Sequence, residues 1–188
     1  ARAMKAAGID PDRITALTLG APTPVLRTIA EPADEKAHPR SGYHAAFSGP
    51  FTVASAFYSE HGLGLFHEDF TDEAAKDERK LALAAKITCE PNAECDEIFP
   101  YQFPAVLTAT LDDGTTVTEK VLVNRGGPGN PLSEEELGTK FTLNASEVMD
   151  ATRAAMLHNA ITELASGATN PRDIGSMLQA STTGEAST

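Results

Sequence analysis

The stretch Ala105–Val123, AVLTATLDDGTTVTEKVLV, decides the fold. Asp-Gly at its centre, within Asp112-Asp113-Gly114-Thr115, is a strong short-range hairpin signal, so the flanking runs Ala105–Leu111 and Thr116–Val123 are predicted to be antiparallel strands. Alternation of Ala105, Leu107, Ala109 and Leu111 fits a sheet with one buried face. Moving toward the N-terminus, Ile87–Cys89 and Arg13–Leu19 (RITALTL) add two short β segments. In the second of these, Ile14, Ala16 and Thr18 are expected on one face and Thr15, Leu17 and Leu19 on the other. Helical patterns separate and follow these segments, which indicates an α+β domain with a mostly antiparallel sheet of about four strands packed against helices.

The helical readings rest on caps and apolar spacing. Ala1–Gly8 (ARAMKAAG) reads as the end of a helix closed by glycine, as in a chain cut from something longer. Four prolines across Ala21–Arg40 argue for loop or extended chain there, a length that usually accompanies binding. Phe51–Glu60 carries Val53, Ala54, Phe57 and Tyr58 on one helical face, closed by Gly62 and Gly64. Thr71–Lys86 is expected to be helical in two parts, capped by Thr71 and Asp77, with Leu81, Leu83 and Ala84 buried. Ser133 with Glu136 forms a capping box. Asp150 caps Ala151–Ser166, whose face is Ala154, Leu157, Ile161 and Leu164, and Gly167 ends it. Pro171–Gln179 is a last helix. The domain is therefore placed at residues 1–180, with residues 181–188 a disordered tail.

Composition narrows the function. The chain has 188 residues, 15 Lys+Arg and 27 Asp+Glu, a net charge of −12. Nucleic acid and anionic membrane surfaces call for the opposite sign and are not expected partners. Residues 51–150 hold the whole excess, with 19 acids against 7 bases. Cys89 and Cys95 are expected on a strand and its following loop, in neither a zinc nor a CxxC pattern, which suits a reduced, cytoplasmic setting. No run of about 18 apolar residues is present.

The five histidines are His38, His44, His61, His67 and His158, and none has a ligand or triad spacing. His61 and His67 flank a Gly-rich turn, and His158 lies beside an apolar stripe. Lys36, His38, Arg40 and His44 gather cationic groups within nine residues, as a carboxylate contact would require or as a solvated loop with local acid partners would also show. Arg125 with Gly126, Gly127 and Gly129 precedes a helix N-terminus and is either an anion contact or a plain turn. Ser48 lacks the glycines of a nucleophile elbow.

Ser41–Phe57 (SGYHAAFSGPFTVASAF), Phe70–Ile87, the hairpin, and the run Gly-x-Pro-x-Asn-Pro-Leu-Ser-x-Glu-Glu-Leu-x-x-Lys-Phe from Gly126 to Phe141 occur in an order that resembles the C-terminal domain of the MmgE/PrpD family. That family includes 2-methylcitrate dehydratases, cis-aconitate decarboxylases and iminodisuccinate epimerases. The resemblance covers about residues 1 to 180. It implies the smaller domain of a two-domain, cytoplasmic, homodimeric enzyme of the kind used in propionate metabolism, whose helical N-terminal domain is absent here and carries most of the catalytic groups. It implies proton transfer beside a carboxylate, with no metal or other cofactor. No catalytic residue is assigned to this chain, and Arg40, His44, Ser48, Phe51 and Arg125 are the expected contacts to a small carboxylate substrate. Ala46 stands where the pattern has Lys, Gln or Arg, and Phe51 where it has Tyr. Either the substrate differs or is smaller, or Arg40 and His44 replace the lost hydrogen bonds. A reading from another class is a stand-alone acidic interaction domain. An independent enzyme using His38 and His44 is a third.

Overall fold

The computed structural model describes residues 1–60 and 62–179, so the tail expected over 181–188 lies outside the described residues, as does His61. They fall into a first compact unit, Ala1–Pro131, and a second that starts at Leu132.

The first unit is an α+β fold with four strands: β1 (Ile14–Ala21), β2 (Ile87–Pro91), β3 (Ala105–Leu111) and β4 (Thr116–Val121), in the order β2-β1-β3-β4. The expected hairpin is β3–β4, in register from Ala105↔Val121 to Thr110↔Thr116. β1 is antiparallel to β3 but parallel to β2, so the sheet is mixed. A parallel neighbour needs a crossover, and five helices between β1 and β2 supply it.

β1 departs from strict alternation. Its register against β3 shifts between Ile14 and Ala16, and this irregularity puts Ile14 into the core with Leu17 and Leu19. The expected grouping of Ile14 with Ala16 and Thr18 is corrected accordingly. The core joins these residues to Leu107, Ala109 and Leu111 of β3 and to Ala54, Phe57 and Leu83. Residues of the other parity are more polar. Thr88, Thr18, Thr108 and Thr118 are paired in one row across the sheet, with the hydroxyls of Thr108 and Thr118 3.0 Å apart.

The helices of this unit are α1 (Arg2–Ala6), α2 (Thr23–Ile29), α3 (Ala33–Ala37), α4 (Gly42–Ala45), α5 (Gly49–Tyr58), α6 (Glu78–Ala84) and α7 (Ala93–Ile98). Three of them correct the extended reading of Ala21–Arg40 and the region after it. Pro22 and Pro32 occupy the N-cap positions of α2 and α3, and Pro24 lies in the first turn of α2, where a missing N–H costs nothing. The cap of α2 is tertiary. Asp96, 73 residues away, accepts from the Thr23 N–H at 2.6 Å and from its hydroxyl at 2.8 Å. Cys95, expected in a loop, lies buried in α7, which Asn92 caps by accepting from the Cys95 N–H at 3.1 Å. The buried face of α5 runs through Phe51, Ala54, Ser55 and Phe57, with Val53 and Tyr58 at its half-buried edges. Asp77 caps α6 as expected, accepting from the Arg79 N–H at 2.9 Å, whereas Thr71 accepts from the Ala74 N–H at 3.0 Å ahead of a short turn, Ala74–Lys76, whose N-cap is Glu73. In α6 Leu83 and Ala84 are buried, Leu81 is half-buried, and Lys80 is buried too.

The hairpin turn is tied to the start of β1. Arg13 donates to Asp112 at 2.8 Å and to Asp113 at 2.6 Å. Hydrogen bonds from Thr115, and then from Arg13, hold the Asp113 carboxyl down at about 2. Its unfolded value is about 3.9. The native state therefore binds this proton less readily, and the stabilisation is complete above about pH 4 and lost as pH falls through about 2. A carboxyl-detected NMR titration is expected to show Asp113 titrating near 2 and moving upward in Arg13→Gln; titration near 3.9 in the parent would contradict this.

The second unit contains α8 (Glu134–Ala145), α9 (Ala151–Glu163) and α10 (Pro171–Gln179). Both halves of the Ser133/Glu136 capping box are formed, and Asp150 caps α9. The buried stripe of α9 is Ala154, Leu157 and Ala160, whereas Ile161 and Leu164 are exposed, which corrects the lower half of the expected face. Arg153 ties α9 to α10 by donating to the Met177 carbonyl at 3.1 Å.

Candidate functional site

The cation-rich segment is built as two short helices and the start of a longer one. α3 carries Lys36, α4 follows Arg40 and Ser41, and α5 opens on Ser48. Ser41 is the N-cap of α4, and Ser48 is the N-cap of α5, accepting from the Phe51 N–H at 2.9 Å. The Ser48 hydroxyl also donates to the Lys36 carbonyl at 2.5 Å, so both of its roles are filled by backbone. Ser48 is an organiser of this corner.

Arg40 and His44 come together. The Arg40 Nε–H donates to His44 Nε2 at 2.9 Å, and the other ring nitrogen lies 2.7 Å from the Ser41 hydroxyl. A guanidinium can only donate, so Nε2 accepts and the ring carries its proton on Nδ1, directed at Ser41. Among the described residues neither terminal guanidinium nitrogen of Arg40 has a hydrogen-bond or ion-pair partner. Arg40 is exposed, and its planar fork is steered from behind by a neutral imidazole. That is the arrangement a carboxylate contact requires.

The α4 platform is pressed onto the turn at His67–Phe70. The Gly42 N–H donates to Asp72 at 2.8 Å, and a Cβ on Gly42 would stand 1.7 Å from the Phe70 carbonyl oxygen. Only glycine permits this approach. Beneath it, Phe51 is fully buried with Ala45 and Ala75, and the Lys80 ammonium lies 5.9 Å from its ring centroid. Lys80 in turn pairs with Asp69 at 3.4 Å, both side chains being at most 10% exposed. Asp69 also accepts from the Phe66 N–H at 3.0 Å. The pattern of the sequence did not single out this pair.

Arg125 lies in a different loop. It donates to Asn130 at 2.8 Å and to the Pro131 carbonyl, bracing the Gly-rich turn. Its neighbour Asn124 accepts from the Phe103 N–H at 3.4 Å.

Beside α4 and α5 opens a cavity of about 530 Å³, bounded by Leu19, Val25, Ile29, Phe47, Phe103 and Ala105 among others. Of the five expected contact residues, Ser48 borders it. Phe47 and Phe103, at its mouth, are exposed. Lys36 lies alongside, its ammonium donating to the carbonyls of Thr28 at 2.5 Å and Phe47 at 2.8 Å.

Other chemistry is sparse. Cys89 and Cys95 are free thiols, and burial pushes Cys89 up to about 11, which keeps it protonated at neutral pH. Among the described residues no group of three or more His, Cys, Asp or Glu side chains could hold a metal ion, and no helix is long and apolar enough to cross a membrane.

A family model described as the MmgE/PrpD C-terminal domain matches residues 1–166. No curated protein matches the chain.

Proposed function

The chain belongs to the MmgE/PrpD C-terminal domain family, and from that premise we propose that it forms the smaller domain of a 2-methylcitrate dehydratase-like lyase or isomerase acting on small polycarboxylates. In this reading it supplies a wall of the substrate cleft, and an N-terminal helical domain supplies the proton-transfer groups. The active assembly is a cytoplasmic homodimer, with domain boundaries near residues 1 and 180.

The observation that supports this best is the Arg40–His44–Ser41 chain, which aims an unpartnered guanidinium edge outward from an otherwise acidic protein. A reaction at the carbon next to a carboxylate needs that carboxylate fixed and its charge balanced, and a bidentate Arg contact does both. With the proton-transfer groups on the helical domain, the chain is expected to bind and not to turn over alone.

In the Arg40→Gln variant, succinate affinity measured by calorimetry is expected to fall at least tenfold while thermal unfolding stays the same, since a charge-assisted bidentate contact contributes about 1.5–3 kcal/mol. The 188-residue chain is expected to leave 2-methylcitrate, cis-aconitate and iminodisuccinate unconverted. Turnover of any of them by the chain alone would overturn the division of labour proposed here, and unchanged succinate binding in Arg40→Gln would overturn the role of Arg40.

A further inference from the structure

Among the described residues the Arg40 guanidinium is held by one hydrogen bond, and that bond exists in only one protonation state of its partner. The Arg40 Nε–H donates to His44 Nε2 at 2.9 Å, while His44 Nδ1 lies 2.7 Å from the Ser41 hydroxyl. A neutral imidazole has one acceptor nitrogen and one donor, and both are used here. An imidazolium has two donors. Its Nε2–H would confront the Arg40 Nε–H, donor against donor and charge against charge.

Of the two side chains, His44 is the better held. It is half-buried, Ser41 accepts from its backbone N–H at 3.4 Å as well as meeting Nδ1, and its ring stands edge-on to Tyr43 at 5.9 Å. Arg40 is exposed and has water to swing into. The surroundings offer the imidazolium no counter-charge. α4 packs on the turns His67–Phe70 and Ala74–Lys76. There Asp69 pairs with Lys80, Asp72 accepts from the Gly42 N–H, and Glu73 pairs with Lys76. His67 and Glu68 complete the charged groups of these turns, and α5 carries none. On the chain leading in, Lys36 is held by two carbonyls, and Asp34, Glu35 and His38 are exposed. Among the described residues no acid stands within hydrogen-bond or ion-pair distance of the His44 ring.

We propose that His44 is a positioning residue that acts as a proton gate on Arg40: neutral, it holds the guanidinium edge toward a carboxylate ligand, and protonated, it releases it. The inference rests on the reading of Arg40 as the carboxylate contact given above, and it states how that contact is regulated. The sign of the effect sets it apart from bulk electrostatics. Acidification makes a chain of net charge −12 less negative, which by itself strengthens the binding of any anion. The gate weakens it.

The test is calorimetric titration of the full chain with tetrafluorosuccinate, a dicarboxylate that stays ionised across the range in which imidazoles take up their proton, between about pH 5 and 8. Affinity is expected to be about tenfold lower at the acid end, the worth of the hydrogen bond that orients the guanidinium. His44→Gln, whose amide oxygen accepts at either pH, is expected to show no acid loss, whereas His67→Gln keeps it. In the parent chain without ligand, the Arg40 Nε–H NMR signal is expected to move together with the His44 ring signals as pH falls. Affinity that is constant or rises in acid, an acid loss that persists in His44→Gln or vanishes in His67→Gln, or an Arg40 signal indifferent to the His44 titration would overturn the gate while leaving Arg40 in its role. Binding untouched by Arg40→Gln at both ends of the range would overturn the carboxylate reading itself.

Discussion

Gly42→Ala is expected to lower the melting temperature by roughly 10 °C and to weaken carboxylate binding at the same time. The new Cβ would meet the Phe70 carbonyl oxygen at 1.7 Å and the carbonyl carbons of Phe70 and Thr71 at 2.5 and 2.8 Å. These are backbone atoms, so no side chain can swing aside. α4 or the turn at residues 67–70 must move, at a cost of about 3 kcal/mol or more, and each kcal/mol shifts the melting point of a chain this size by about 2–4 °C. Because Arg40, Ser41 and His44 flank the same short helix, the displacement disturbs the guanidinium edge as well as the packing. Parent-like melting would show that the close approach is not required.

Asp69→Ala is expected to be as damaging by a different route. It leaves the Lys80 ammonium buried without its counter-charge, next to the face of Phe51, and removes the acceptor for the Phe66 N–H. Breaking a buried pair from one side costs about 3–5 kcal/mol, since the remaining charge keeps its desolvation penalty. Urea unfolding should show that loss. The double variant Asp69→Leu with Lys80→Met should recover most of it, because removing both charges removes the penalty. If the single variant unfolds at the parent's urea midpoint, the pair is not holding α6 against the turn at His67–Phe70.

The parts of the fold that could be read in the sequence are those whose determinants are local. The β3–β4 hairpin follows from Asp-Gly and its flanking alternation, the start of α8 from Ser133 and Glu136, and α9 from Asp150. What escaped was determined at a distance. α2 is capped by Asp96 across 73 residues, so Pro22 and Pro24 read as breakers although they sit at a helix start. The parallel pairing of β1 with β2 depends on a crossover whose helices were only partly visible, and the irregularity in β1 moves Ile14 to the opposite face without any mark in RITALTL.

The site divides in the same way. The concentration of cations before Ser48 was visible as composition, and it brings Arg40 and His44 within 2.9 Å. The burial of Phe51 and the Asp69–Lys80 pair beneath it could not be read from residue type, because Lys and Asp are ordinarily surface residues and nothing in the spacing of positions 69 and 80 sets them apart. The apolar cavity was equally hidden. It is assembled from β1, α2, α5 and the Phe103 segment, which are far apart in the chain.

The most direct measurement is the nitrogen–proton NMR signal of the Arg40 side-chain Nε–H during a titration with succinate. That proton is held by His44 at 2.9 Å in the free chain, and a carboxylate docking on the other edge of the same guanidinium must perturb it. The predicted result is a saturable shift of the Arg40 signal, with the Arg125 side-chain signal unmoved and the effect absent in His44→Ala, which releases the guanidinium. A stationary Arg40 signal, or a shift confined to Arg125 and its Gly-rich loop, would contradict the placement of the carboxylate contact at Arg40.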